Sequence, residues 1–369
     1  MKLGLIAAAL LLSAATAQPA LAHPAHHPGD VVRAEALPAA LWLPGTADAR
    51  RLTYTSTSAT GKPVVVSGTV FVPAGTAPAH GWPVVSWTHG TLGVADNCAN
   101  STAGRSQRDV DYLSHWLGAG YAVVASDYEG LGTAGEHPYL NGTSEAHGAI
   151  DMVRAARKLV PSLSRRWIAV GQSQGAQAAL FVGSIEDRYA SELDYRGTIA
   201  TAPPSKYPQL VAAYKPFGPG GAANPFAVYV LAGLDASYRN FDPARYLTPY
   251  GQEVYAKVKT TDCFTDTAIA LAGRSADDVY AVDAGEQTHI LRLLDRDAEI
   301  PITRYREPVF VAQGTTDTVV YPPATTTTVN QLKKAGTKVT YTIYPNTDHN
   351  GVVPAATASA LAWAADRFR

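Results

Sequence analysis

Trp167-Ile168-Ala169-Val170-Gly171-Gln172-Ser173-Gln174-Gly175 is the stretch on which the fold turns. Its first four residues are apolar, in the manner of a short buried strand. Gly171-Gln172-Ser173-Gln174-Gly175 then has the G-x-S-x-G spacing of a nucleophile elbow, in which a strand bends sharply into a helix and holds a serine out on the bend. The glycines follow from that geometry. The serine takes a strained backbone conformation, and its neighbours two places away must be small for strand and helix to approach closely. Ala176-Gln177-Ala178-Ala179-Leu180-Phe181 come next and are good helix formers, so the strand–turn–helix context is complete. The same spacing also occurs by chance in ordinary loops, and the rest of the chain decides between the two.

A serine hydroxyl is a poor nucleophile until a base removes its proton, and an imidazole base needs an acid to hold its tautomer. With this elbow the order along the chain is Ser, then Asp or Glu, then His. Downstream, Pro308-Val309-Phe310-Val311-Ala312-Gln313-Gly314 reads as a buried strand, followed at once by Thr315-Thr316-Asp317. Lys338-Val339-Thr340-Tyr341-Thr342-Ile343-Tyr344 reads as the next, followed by Pro345-Asn346-Thr347-Asp348-His349. A carboxylate and an imidazole thus follow successive strands at their carboxyl ends, where open parallel sheets carry their active sites. Ser173, Asp317 and His349 are the expected nucleophile, acid and base. Asp348 is the rival acid, but it adjoins His349 and would point elsewhere if His349 faces the serine. Among the other histidines, His23, His26 and His27 lie in a Pro-containing leader, His80, His115, His137 and His147 precede the elbow, and His289 lies in a long insertion. The competing reading of His349 is a plain loop histidine.

Pro83-Val84-Val85-Ser86-Trp87 reads as a strand running into Thr88-His89-Gly90-Thr91-Leu92-Gly93. An H-G-x turn there directs a backbone N–H at a developing oxyanion, and the residue after the nucleophile supplies a second. Thr91 and Gln174 are the expected donors. His89 is expected to brace the turn rather than to act as the base.

With these motifs in hand, the chain resembles the α/β-hydrolase superfamily, and within it the secreted lipases related to the fungal secretory lipases and their bacterial homologues. The resemblance is carried by Trp87-Thr88-His89-Gly90-Thr91-Leu92-Gly93, Asp127-Tyr128-Glu129-Gly130-Leu131-Gly132, the Gly171–Gly175 elbow, Gln313-Gly314-Thr315-Thr316-Asp317 and Asp348-His349. It implies a carboxylic ester hydrolase acting on a small-molecule or lipid ester, with no metal or organic cofactor, often with a helical cap over the acyl site. In Asp127-Tyr128-Glu129-Gly130 the Tyr or Glu could face the pocket, and bracing of loops is the expected role.

The rest of the chain has a consistent rhythm. Met1-Lys2, an apolar run from Leu3 to Ala15 and Ala20-Leu21-Ala22 match a cleavable signal peptide over residues 1–22, too short to span a bilayer, with an earlier cut after Ala17 as the alternative. Residues 23–50 read as a leader, disordered at its start; its histidines could chelate a metal, but a solvated tail is the expectation. Arg51–Ser58 and Val64–Val72 read as a hairpin. Strands and helices then alternate: a helix near Arg108–Leu117, a strand at Tyr121–Ser126, a helix over Ser144–Val160, and a strand at Gly197–Ala202 after the elbow helix. This predicts an α/β fold with a mostly parallel central sheet and helices on both faces. The core is expected over 51–202 and 307–369. Residues 203–306 break the rhythm and read as a cap insertion, with helices at Asn224–Leu234 and Gln252–Lys257. A mobile lid and a fixed cap are both compatible with it, and the fixed cap is the expectation.

The 369 residues carry a net charge of −1, which gives no electrostatic reason to bind nucleic acid or an anionic membrane. The two cysteines, Cys98 and Cys263, are an even count in a chain expected to be exported, which favours one disulfide over two buried thiols. Asn100-Ser101-Thr102 and Asn141-Gly142-Thr143 have the pattern of glycan acceptors. Other activities share the motif set: a peptidase would use the same triad on amides, and an acyltransferase would exclude water from the acyl-enzyme. A non-enzymatic binding module would be expected to have lost the serine. Neither oligomeric state nor acyl-chain preference is legible in the sequence.

Overall fold

The computed structural model describes residues 27–218 and 220–369, and within them nine strands join in one sheet. They are β1 (Val31–Ala36), β2 (Thr46–Thr57), β3 (Pro63–Pro73), β4 (Trp82–Thr88), β5 (Ala122–Glu129), β6 (Leu163–Gln172), β7 (Asp194–Thr201), β8 (Val309–Gly314) and β9 (Val339–Tyr344). Across the sheet the order is β1-β2-β3-β5-β4-β6-β7-β8-β9. β1, β2, β3 and β5 pair antiparallel in succession, and from β5 to β9 every pair is parallel. The chain order reverses across β5-β4-β6, and the elbow leaves the end of β6 at that crevice. The signal peptide expected over 1–22, together with His23 and His26, lies outside the described residues.

Among the described residues twelve α-helices accompany the strands: α1 (Asn100–Ala103), α2 (Gln107–Gly118), α3 (Gly142–Leu159), α4 (Gln174–Tyr189), α5 (Tyr207–Tyr214), α6 (Pro225–Ser237), α7 (Pro249–Val258), α8 (Phe264–Leu271), α9 (Ala276–Val279), α10 (Ala284–Asp297), α11 (Pro322–Lys334) and α12 (Val352–Arg367). The central strands are apolar on both sides because both sides are covered. Val85, Trp87, Val123, Ile168, Val170, Ile199 and Phe310 face α2 and α12, meeting Leu113, Trp116, Val352 and Ala360. The intervening Val84, Val124, Trp167 and Ala169 face α3 and α4, meeting Ile150, Met152, Val153 and Val182. Strand periodicity of two therefore divides each sequence run between two cores. Side-chain caps set the starts of α2 and α3, where Ser106 accepts from the Asp109 N–H and Asn141 from the Ser144 N–H.

The leader expected over 23–50 is not separate from the core. Val31–Ala36 pairs with β2, β2 itself begins at Thr46 rather than Arg51, and Leu37 and Leu43 are buried beside Trp116 and Tyr121. The first strand is hidden in sequence because its residues are mostly exposed, an edge strand with little apolar alternation. Between β7 and β8 the chain runs through α5 to α10, which build their own core around Val228, Leu231, Val258, Val279 and Ile290. Tyr139 and Leu140, from the loop before α3, join that core from below. Both Asn100 and Asn141 are buried, at 2% and 6% exposure, so a glycan on either would have to displace packed structure.

Candidate active site

Ser173 sits on the bend between β6 and α4 with φ 58° and ψ −126°, left-handed backbone that a side chain rarely adopts. Its N–H donates to the Thr201 carbonyl at 2.9 Å, which ties the bend to β7. The flanking glycines are enforced by contact. A methyl group at Gly175 would lie 1.8 Å from the Thr88 carbonyl oxygen, and one at Gly171 would lie 2.1 Å from the Gly175 carbonyl oxygen. The Thr88 hydroxyl stitches this crossing, within hydrogen-bond reach of the Val170 and Gly175 carbonyls at 3.0 and 2.7 Å.

His349 and Asp317 meet at the carboxyl ends of β9 and β8. Asp317 Oδ2 accepts from His349 Nδ1 at 2.8 Å and from Gln313 Nε2 at 2.9 Å, while Oδ1 accepts from the Val319 and Val320 N–H groups, each at 2.8 Å. Burial opposes the charge on Asp317, but the hydrogen bond and charge of His349, helped by the two N–H groups, outweigh it and hold the carboxyl below its ordinary range. Asp348 turns away from this pair and accepts from the Asn350 and Gly351 N–H groups at the start of α12.

The structure brings Ser173 and His349 to one cleft, at 7% and 8% exposure, without a hydrogen bond between them among the described residues. His349 Nε2 instead lies 3.0 Å from Gln172 Nε2. Arg108 donates to Gln172 Oε1 at 3.2 Å, which turns the amide nitrogen toward the imidazole. The Gln172 N–H is then the donor and His349 Nε2 the acceptor, leaving Nδ1–H to donate to Asp317. That is the tautomer a general base requires, with its lone pair occupied by a displaceable amide. Gln172 and Gln313 were invisible as site residues in the sequence; only the place of Gln172 inside the elbow motif hinted at the first.

Neither expected oxyanion donor is used elsewhere: among the described residues, the Thr91 and Gln174 N–H groups donate to no protein acceptor. The turn before Thr91 touches the elbow directly, since a methyl group on Gly90 would lie 3.6 Å from the Ser173 Cβ. His89 is buried at 1% exposure, with Nδ1 2.7 Å from the Gly90 carbonyl and its own carbonyl accepting from Tyr128 Oη at 3.0 Å. Burial pushes its pKa down, and the ring packs against Tyr128 with centroids 4.3 Å apart and the planes tilted by 40°. In the Asp127-Tyr128-Glu129 segment, Asp127 accepts from Ser67 Oγ and the Ser101 N–H, and Glu129 accepts from Ser144. These side chains join loops to one another.

Two cavities meet at Ser173. One, of about 80 Å³, is narrow and largely apolar, and runs beneath the cap between Tyr139, Leu140, Phe217, Phe226, Val230 and Val320. The other, of about 950 Å³, opens to solvent between the 90–109 loops, Phe264 and His349. Cys98 and Cys263 form a disulfide on the rim of the open one, and beside it the Phe264 N–H donates to the Leu92 carbonyl at 2.7 Å. Among the described residues no group of three His, Cys, Asp or Glu side chains is arranged to hold a metal ion, and no helix is long and apolar enough to cross a membrane.

Comparison with known proteins agrees with this architecture. The chain is 25% identical to Lipase A of Moesziomyces aphidis over 87% of its own length and 72% of that protein's. It is 24% identical to a probable inactive lipase of Mycobacterium tuberculosis, over 92% of this chain and 78% of that one. Among solved structures, the rice cell wall degrading esterase LipA of Xanthomonas oryzae superposes with a TM-score of 0.75 at 20% identity, covering 92% of this chain and 98% of that one. Lipase A of Candida antarctica in its closed state gives 0.74 at 19% identity, covering 93% and 83%. The profile of the secretory lipases matches residues 98–369, from the disulfide-bonded Cys98 through the elbow to α12, and the chain belongs to the secretory lipase family.

Proposed function

We propose that the protein is an exported serine hydrolase that cleaves carboxylic esters through an acyl-enzyme intermediate. The observation that carries the reading is that Ser173 lines both a narrow apolar cavity and an open cleft, and that the Asp317-bound His349 lines the same cleft. The acyl chain takes the apolar cavity and the alcohol takes the open side. On substrate binding Gln172 yields the lone pair of His349 Nε2. Ser173 Oγ attacks the ester carbonyl, its proton passes to Nε2, and the Asp317 carboxylate stabilises the imidazolium. The Thr91 and Gln174 N–H groups hold the tetrahedral oxyanion. The carbon–oxygen bond to the alcohol breaks as Nε2 returns the proton to it, and water releases the acid by the same steps in reverse. The disulfide and the secretory family support an extracellular protein.

Because one relative carries the name of an inactive lipase, the serine requires a direct test. Rates on p-nitrophenyl esters from acetyl to palmitoyl, with Ser173→Ala as the blank, should be serine-dependent, and a fluorophosphonate should add covalently at Ser173. A Ser173→Ala protein with wild-type rates would remove the reading. Serine-dependent cleavage of anilides but not esters would replace it with a peptidase.

A further inference from the structure

Behind the nucleophile lies a buried polar cluster that the reaction above does not use. Gln174, whose backbone N–H is the oxyanion donor, turns its side chain away from the cleft and into the protein. There its Nε2 lies 2.7 Å from Glu145 Oε1 and 3.1 Å from His137 Nε2, so both amide hydrogens have acceptors. His137 Nδ1 lies 2.9 Å from the Glu129 carbonyl, which makes Nδ1 the protonated nitrogen and leaves Nε2 to accept. Glu145 Oε1 also accepts from the Leu140 N–H at 3.1 Å. One turn further along α4, Gln177 Nε2 donates to the Leu140 and Ala298 carbonyls at 3.1 and 2.8 Å. Glu145 is fully buried, and its second oxygen, Oε2, is buried without a partner among the described residues.

The cost of this arrangement argues that it does something. A carboxyl at 0% exposure with one idle oxygen is an expensive way to fill space that a leucine would fill, unless its acceptor matters. What its used oxygen holds is the first residue of α4 and the N–H of Leu140, a residue that also walls the apolar cavity. The direction of the Gln174 N–H is set by rotation of the Ser173–Gln174 peptide, and a side chain pinned at its far end by two acceptors restricts that rotation.

We propose that Glu145, with His137, is a positioning residue that aims the Gln174 backbone N–H at the oxyanion, and that it does so as the neutral acid. The proposal rests on the serine-hydrolase reading. Burial pushes the Glu145 carboxyl up to about 8, against the hydrogen bonds from Gln174 and Leu140 that pull it down, and pushes His137 down to about 3. The titratable groups facing Glu145 are Tyr128 from β5, Tyr139 and His137 from the loop before α3, and Tyr207 from α5, and none of them is a cation at neutral pH. An ionised Glu145 would therefore set an uncompensated negative charge directly behind the donor that must stabilise an oxyanion. Turnover should fall as pH rises through about 8.

The experiment compares wild type, Glu145→Ala and Glu145→Gln on p-nitrophenyl butyrate across neutral and alkaline pH, with melting temperatures for each. Glu145→Ala should lower kcat by about 10–100-fold with KM changed by less than about 3-fold, the pattern of a misaimed transition-state donor. Glu145→Gln keeps the accepting oxygen, so it should recover most of that loss at neutral pH and lack the alkaline fall. A folded Glu145→Ala with wild-type kcat would overturn the proposal. If the alanine variant does not fold, the glutamine variant decides: an alkaline fall identical to wild type would overturn it. A second readout needs no turnover. In protein labelled with isotopic glutamine, the Gln174 side-chain amide signal should titrate near pH 8 in wild type and not in Glu145→Gln. If wild type shows no serine-dependent rate, the serine-hydrolase reading fails by itself, and this signal still tests the Glu145 contact, a flat response refuting it.

Discussion

Asp317→Asn is the substitution whose outcome the geometry fixes most tightly. The carboxylate has two unlike ends: Oδ1 faces two backbone N–H donors, and Oδ2 faces His349 Nδ1 and Gln313 Nε2. Backbone donors cannot turn round, so the asparagine oxygen must take the Oδ1 position and its NH₂ must face His349. The imidazole can then keep a hydrogen bond only by accepting on Nδ1, which moves its proton to Nε2. In the proposed mechanism Nε2 is the atom that receives the serine proton, so the variant would be held in the wrong tautomer. A wrong-tautomer triad loses about 10⁴ in kcat, or about 5.5 kcal/mol of transition-state stabilisation at 1.36 kcal/mol per factor of ten. Because the defect is an imposed tautomer and not a missing charge alone, Asp317→Ala should be no worse than Asp317→Asn. The assay is kcat on p-nitrophenyl butyrate at neutral pH, normalised by active-site titration. A folded Asp317→Asn within tenfold of wild type would refute the assignment of Asp317. There is also a stability signature. The folded pKa of Asp317 lies below its unfolded value, so its contribution is present above that unfolded value, about 4, and is lost as pH falls through the folded one. Acid unfolding of the Asn variant should lack that component.

Filling the apolar cavity should read out its role. Val230 lines it from α6 at 8% exposure, so Val230→Trp should shorten the accepted acyl chain, with kcat/KM falling about fourfold for each methylene that no longer fits, at about 0.8 kcal/mol each. Equal loss on acetyl and octanoyl esters would show that the chain binds elsewhere. Cys98→Ser should lower the unfolding free energy by about 2–5 kcal/mol, since the bond closes a loop of 165 residues. Unchanged denaturant midpoints with and without reductant would mean that the bond contributes nothing to stability.

What could be read from the chain alone was what is written in consecutive residues. The elbow, Asp317 and His349 each follow an apolar run, and a loop at the end of a parallel strand has only one place to go. Cys98 and Cys263 were paired by compartment and by parity. What could not be read depends on residues distant in sequence that meet only after folding. Gln172 matters because Arg108 turns its amide, Gln313 because it shares Oδ2 with His349, and Glu145 because α3 lies against the start of α4. β1 lacked apolar alternation because it is an edge, and α12, rich in alanine, gave no amphipathic period to detect.

The attachment of the cap has a mechanical consequence. Its two chain connections leave β7 and return to β8, and just above them Lys206 binds Glu299 through both its backbone N–H and its ammonium, which cinches the base of the insertion closed. The disulfide then pins Cys263 to the loop after β4, two strands across the sheet from β7. A plate fastened along one edge can swing, but a plate bolted at a second, separated point cannot turn about the first without tearing the bolt. Cutting Cys98–Cys263 would do more than soften the fold: it would leave that second point held by non-covalent contacts alone, the Phe264–Leu92 hydrogen bond among them.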